Sequence, residues 1–284
     1  MIDLVDSVQQ LVRGVGPNAR KVGIVSEDAE RRWKRQHFEG AELQRFLASG
    51  RAQAARMEQR IESETGATLK GRRVLDFGCG TGRMALAIAE GAERVYGLDV
   101  MQGALDKAKE TGKEANVTNV EWLDASKLHD LAGAYDGVIC YQVFNHIPSR
   151  QGERVFSSIL SGLRDGGVGA VHFTVRPPKL LAGLRIASAS AGRGLRRKHR
   201  AVTRYGYLVM NSYSLNRLGA ILNEQGVSRW HVRWAYHGAR SSVYQYPSVV
   251  LVFRKDAIDS DNAEVAADAS LEVQSVRTQL DSEH

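Results

Sequence analysis

The stretch Val74-Leu75-Asp76-Phe77-Gly78-Cys79-Gly80-Thr81-Gly82-Arg83 decides how the chain is read. An apolar run ends at an acid, and three glycines then alternate with Cys79 and Thr81. From Arg83 to Glu90 the apolar positions Met84, Leu86, Ala87 and Ile88 take on a helical pattern. That order predicts strand, glycine loop, helix. Glycines so spaced permit backbone angles closed to other residues and clear side chains from a surface where a ligand can lie against the main chain. The helix start beyond them presents free N–H groups.

A glycine loop alone is shared with dinucleotide-binding folds. Here the third glycine falls at Gly82, giving GxGxG, and the last position of a GxGxxG pattern is Arg83. Asp76 also stands two residues before the first glycine. DFGCGTG with that acid resembles the cofactor loop of the class I S-adenosylmethionine-dependent methyltransferases. The resemblance implies that Gly78, Gly80 and Gly82 pass under the methionine end of S-adenosylmethionine, with Asp76 orienting its amino group.

Downstream, strands and helices alternate. Strands are expected at Arg72 to Phe77, Glu93 to Leu98, Val120 to Leu123, Tyr135 to Tyr141 and Gly167 to Val175. Helices are expected at Gly103 to Glu110 and Gln151 to Leu163, with a short helical piece at Leu128 to Leu131. Such alternation implies parallel pairing with right-handed crossovers, an α/β doubly wound sheet. Ser214 to Glu224 reads as the last core helix, followed by strands at Ser228 to Tyr236 and Ser248 to Arg254. Five parallel strands and an antiparallel pair resemble the mostly parallel seven-stranded, Rossmann-like methyltransferase sheet. Upstream, one helix is expected from Ser26 to Ser49 and a second from about Arg51 to Glu64, stopped by Gly66. The expected organisation is an N-terminal helical cap (1–66), a methyltransferase domain (67–255) with an insertion, or lid, after the fifth strand (176–213), and an acidic, disordered tail (256–284).

Strand ends supply the candidate site, since open α/β sheets bind ligands beyond the carboxyl ends of their strands. Asp99 ends the second strand, 21 residues after Gly78. It is either a turn cap or, given the loop upstream, the acceptor of two ribose hydroxyls, with Val100 and Met101 against the adenine. Asp124 ends the third strand and is either an N-cap or, by the resemblance, the acceptor of the adenine amino group, with the Ala125 backbone N–H on a ring nitrogen. Tyr141 ends the fourth strand beside the cofactor and opens YQVFNHIP. That run lacks the Asn/Asp-Pro-Pro-aromatic segment common among methyltransferases of nucleobase or glutamine amines and resembles the family's small-molecule branch. His146 is the candidate catalytic residue, either a general base for a hydroxyl nucleophile or a ring packed over the cofactor. His172, in the fifth strand, and Arg176 are candidate acceptor contacts, with a satisfied core histidine as the alternative for His172.

Composition narrows the classes. A content of 43% hydrophobic and 25% charged residues over 284 residues is that of a globular protein, and no apolar run approaches the roughly 20 residues of a membrane span. Two cysteines, Cys79 and Cys140, and a start without a secretory pattern predict reduced thiols and a cytoplasmic location. No Cys/His cluster has zinc spacing, so no metal is expected. From Asp256 to His284 there are eight acids and one base, so that tail carries −7 and the remainder +14 of the net +7. Arg176 to Arg204 holds nine bases and no acid. The expected partner is a small-molecule acceptor: a metabolite, sugar or lipid-linked compound that is O-methylated. The basic segment leaves open an RNA methyltransferase reaching phosphates and a lipid methyltransferase at an anionic membrane surface. The oligomeric state is not legible.

Overall fold

The structure, a computed structural model, describes residues 40–175, 211–237 and 246–257. Seven strands form one sheet: β1 (Arg73–Phe77), β2 (Arg94–Asp99), β3 (Val120–Asp124), β4 (Tyr135–Cys140), β5 (Leu163–Thr174), β6 (Trp230–His237) and β7 (Tyr246–Arg254), in the order β3-β2-β1-β4-β5-β7-β6. The first five are parallel, and β7 runs antiparallel to both β5 and β6. This is the expected doubly wound sheet. Strand order reverses between β1 and β4, which opens a crevice at their carboxyl ends.

Alternation along each strand splits the core in two. Leu75, Phe77, Val138, Cys140, Val171 and Phe173 face the helices α4 (Ser149–Gly162) and α5 (Leu215–Glu224). Val74, Ile139, Val168, Ala170, Val250 and Val252 face α1 (Gly40–Thr65) and α2 (Arg83–Ala89), with Leu105 of α3 (Gln102–Glu114) in the same cluster. Central strands apolar on both sides are what a parallel sheet covered by helices requires.

Three expectations need correction. The two helices expected on either side of Gly50 are one, α1, which runs unbroken from Gly40 to Thr65; residues 26–39 lie outside the described residues. Leu47, Gly50, Ala54, Met57 and Ile61 form its buried stripe at spacings of three and four. Gly50 is buried mid-helix because a Cβ there would collide with the carbonyl oxygen of Arg83 at the start of α2. The glycine lets α1 pack on α2 and does not divide it. Second, Tyr213 is not part of an insertion over the sheet. It bridges to Val175, is 1% exposed and belongs to the core, so only 176–210 fall outside the description there. Third, Asp256 is not tail. Its N–H donates to the Gly226 carbonyl at 2.9 Å and its Oδ2 accepts from the Ser228 N–H at 2.8 Å; residues 258–284 lie outside the described residues. Among the described residues no helix is long and apolar enough to cross a membrane.

Gly50→Ala should cost about 1–3 kcal/mol, the usual toll of forcing an atom into a packed contact. Gly91→Ala, at a position with nothing within 4 Å of the added Cβ, is the control. Chemical denaturation showing the two variants equally stable would reject the close packing of α1 on α2.

Candidate functional site

The loop after β1 is held by its neighbour strand. The carbonyl oxygen of Leu98 accepts from both Gly78 N–H (2.7 Å) and Cys79 N–H (2.9 Å). Asp99 completes the stitch: Oδ2 accepts from Gly80 N–H at 2.8 Å and Oδ1 from Met101 N–H at 2.9 Å. The three glycines divide the work. A side chain on Gly78 would collide with Val143, and one on Gly82 with the ring of Trp122. All three have positive φ (77°, 57° and 82°), and Gly80 differs in having nothing within 4 Å of where a Cβ would stand. It is the glycine whose bare backbone faces open space, as a ligand lying on the loop requires.

Three carboxylates close three adjacent strands. Asp99 and Asp124 are register partners, and Asp76 lies one residue inside the end of β1. Asp76 is 3% exposed, and its Oδ2 has no hydrogen-bond partner among the described residues. Burial, and next the negative charge of Asp99, push its carboxyl up to about 7, against the pull of Arg83 and the Ala85 backbone N–H. Asp99 is raised by burial and by Asp124, and held down by the N–H groups of Met101, Gly80 and Val100. The capping role considered for Asp124 is realised: its Oδ1 accepts from Ser126 N–H at 2.9 Å. Each carboxylate oxygen carries two lone pairs. Both Asp99 oxygens, and Asp124 through Oδ2, therefore retain acceptor capacity for hydroxyl or amino donors. Val100 and Met101 follow half-buried, and Ala125 is buried at the next strand end.

Across the crevice, Tyr141 and Gln142 leave β4. Gln142 has φ 63°, an uncommon conformation for a side-chain-bearing residue. The chain then makes a single 3-10 turn, Phe144–His146. His146 is half-buried, with its Nε2 3.3 Å from Asn145 Nδ2. Two clamps hold this turn from the far end of the 176–210 segment. Asn211 N–H donates to the Asn145 carbonyl at 2.8 Å. The Tyr213 hydroxyl reaches the carbonyls of Phe144 (3.0 Å) and Ile147 (2.8 Å). Gly152 of α4 makes room for that hydroxyl.

The structure thus brings Asp76, the three glycines, Asp99, Val100, Met101, Asp124 and Ala125 to the ends of β1, β2 and β3, and Tyr141 and His146 to the end of β4. His172 takes the core alternative: it is 0% exposed inside β5, with its ring 5.1 Å from that of Tyr141, so it supports Tyr141 from below. Arg176 lies outside the described residues. Sequence reasoning missed Asn145, Asn211 and Tyr213, which shape the turn; only Tyr213, an aromatic just before a helix cap, left any signal. Among the described residues no group of His, Cys, Asp and Glu could hold a metal.

A methyltransferase domain model matches residues 74–167. Curated relatives include ubiquinone biosynthesis O-methyltransferases from Coxiella burnetii, 31% identical over 101 residues (35% of this chain, 42% of that protein), and from Neisseria meningitidis, 37% identical over 87 residues (29% and 36%). The chain therefore spans less than half the length of these relatives. Among solved structures, magnesium protoporphyrin IX methyltransferase from Synechocystis PCC 6803 with bound S-adenosylhomocysteine (SAH) shares the fold. Its TM-score is 0.56 at 19% identity, over 84% of this chain and 99% of that one. The acid-and-glycine loop and the domain model coincide: residues 74–167 match a methyltransferase domain, and the strand order is that of a methyltransferase fold.

Proposed function

We propose that the protein transfers a methyl group from S-adenosylmethionine to a hydroxyl of a small-molecule acceptor. The observation that carries this reading is the opposition of two features across one crevice: a cradle of acids and bare backbone at β1–β3, and a half-buried histidine at the end of β4. The names of the curated relatives, O-methyltransferases of a small molecule, support the same class.

The cradle fits the cofactor. Asp76 offers a buried carboxylate oxygen without a partner to an ammonium group, and the ionised form is then favoured by the opposite charge. Asp99 offers its remaining lone pairs to two adjacent ribose hydroxyls. Asp124 and the Ala125 N–H suit the adenine edge, with Val100 and Met101 against its face. The bound cofactor supplies a methyl group on a positive sulfur, open to in-line attack. The chain has then to align the acceptor, exclude water and remove one proton. His146 takes the proton from the attacking hydroxyl, the general-base role its imidazole suits. Asn211 and Tyr213 fix the turn that carries it. We also propose that the protein works in the cytoplasm, from its reduced cysteines, both buried and free.

The direct test supplies methyl-labelled cofactor and a panel of phenols, catechols and sugar alcohols to the full chain. Label in a base-stable ether is expected; label only in RNA or protein would sink the assignment. His146→Ala should lower turnover by about 10²–10⁴ and leave SAH affinity near its original value. An unchanged rate removes the proton-transfer role.

Asp76 gives a test that links pH to stability. Its folded-state value of about 7 lies above the ordinary 3.8. The folded state therefore keeps a proton that the unfolded chain has released between about pH 4 and 7. Its destabilising contribution grows as pH rises through that window and is complete above 7. Asp76→Asn should therefore stabilise the ligand-free protein by an amount on the order of a few kcal/mol at pH 8, with little effect at pH 4. The same variant should bind SAH roughly ten- to hundredfold more weakly. Thermal melts showing the same difference at both pH values would contradict the buried charge.

A further inference from the structure

One flank of α1 carries a positive charge for which the described structure provides no carboxylate. Gln53, Arg56 and Arg60 stand at helical spacings of three and four, so they share one side of the helix. Arg56 donates to Gln53 Oε1 at 2.6 Å. Arg60 is half-buried, and the only hydrogen bond of its guanidinium among the described residues is to the Met57 thioether, at 3.7 Å. A guanidinium has five N–H donors and stays charged, and sulfur is a weak acceptor. The nearest acid on that flank, Glu64, is taken by Arg233 and by His231 (2.7 Å) on β6. Glu58, on the opposite flank, accepts from the Leu69 N–H. Burial, and after it the neighbouring Arg56 and Arg233, disfavour the charge on Arg60, while Tyr141 favours it.

The position of this cation relative to the crevice gives it meaning. Strand alternation turns Asp76, His172 and Thr174 toward the α1 face, and Tyr141 packs on that side. Tyr141 rests on His172. Thr174 is 2% exposed, and its hydroxyl has no partner among the described residues. The glycine loop follows β1. α1 packs on β5 and β7, and Arg60, one turn before the Glu64 that pairs with His231 and Arg233 of β6, stands over that side of the sheet, with Tyr141 in electrostatic reach. It therefore lies on the side of the crevice that Tyr141 borders.

We propose that Arg60, flanked by Arg56, binds an acidic group of the methyl acceptor, a carboxylate or phosphate, in a subsite between α1 and the ends of β4 and β5 where Tyr141 and Thr174 supply further polar contacts. The inference rests on the methyltransferase reading for the word acceptor and on α1 for the rest. A planar guanidinium grips such a group through two parallel hydrogen bonds, and a site partly stripped of water strengthens them. The ligand would thereby supply the counter-charge that the fold withholds.

The test uses the full chain and titration calorimetry with two probes that differ only in the acid, 3,4-dihydroxybenzoate and catechol, with and without saturating SAH. The benzoate should bind roughly ten- to hundredfold more tightly than catechol, and inorganic phosphate should compete with it. Arg60→Gln should erase the preference, Arg60→Lys should keep part of it, and neither should change SAH affinity. Thermal melts of both variants check that α1 remains folded. Equal binding of the two probes, or a preference that survives Arg60→Gln, overturns the proposal. So does a fall in SAH affinity on Arg60→Gln, which would assign the guanidinium to the cofactor. Failure of the wild-type chain to bind SAH would sink the methyltransferase reading instead, and the probe preference measured without SAH would still decide the subsite.

Discussion

The carbonyl of Leu98 accepting two backbone N–H groups from the next strand's loop is the contact on which the site depends. A glycine loop has no preferred shape of its own, because its backbone entropy is the largest of any residue type. The end of β2 imposes one, with the Leu98 carbonyl taking Gly78 and Cys79 and the Asp99 carboxylate taking Gly80 and Met101. β3 then locks the arrangement from behind. Trp122 occupies the space that side chains on Gly82 and Gly97 would fill, so its indole fits only against bare backbone. Register carries this constraint across the sheet: Phe77 pairs with Leu98, and Asp99 with Asp124. Three strand ends therefore fix one another, and the candidate ligand contacts follow from that mutual constraint.

What was legible in the sequence is what period and punctuation record. Strands buried on both faces read as apolar runs ending at Asp76, Asp99 and Asp124, and their order along the chain implied the parallel pairing seen in the sheet. The acids of the cradle were found because they sit at strand ends, where topology gives them a common edge. Gly50 shows where such reading stops. A glycine within a helical pattern signals a break when only local propensity is weighed, and here a carbonyl 33 positions further on, at Arg83, makes it the residue that lets two helices touch. Tyr213 shows the same limit at longer range. Its hydroxyl spans the carbonyls of Phe144 and Ile147 and fits over Gly152, a three-way match among segments that no periodicity connects. His172 shows why two readings stayed open: a titratable side chain near the site in sequence lies beneath it in space, because alternation turns it inward to Tyr141.

The two halves of the crevice also differ in sign, and the difference constrains what each can accept. At the ends of β1, β2 and β3 stand three acids, two of them with carboxyls raised by burial and by the next acid along the edge. Along α1, over β5 and β7, stands an arginine without a carboxylate among the described residues. Neither arrangement stabilises the ligand-free fold, since each leaves buried or half-buried charge incompletely matched. Stability comes from the two apolar layers of the sheet, which involve neither group. A molecule that is cationic at one end and rich in hydroxyl and amino donors at the other satisfies the acids and is repelled by the arginine. An acidic acceptor experiences the reverse. Charge thus assigns each ligand to its own half and discourages the exchanged arrangement, which is specificity by penalty as much as by attraction. Because such ligands bind only the folded chain, each also returns stability that the site withholds when empty. On the proposed reading, the same unmatched charges that weaken the free protein would orient the reacting partners toward each other across Tyr141 and His146.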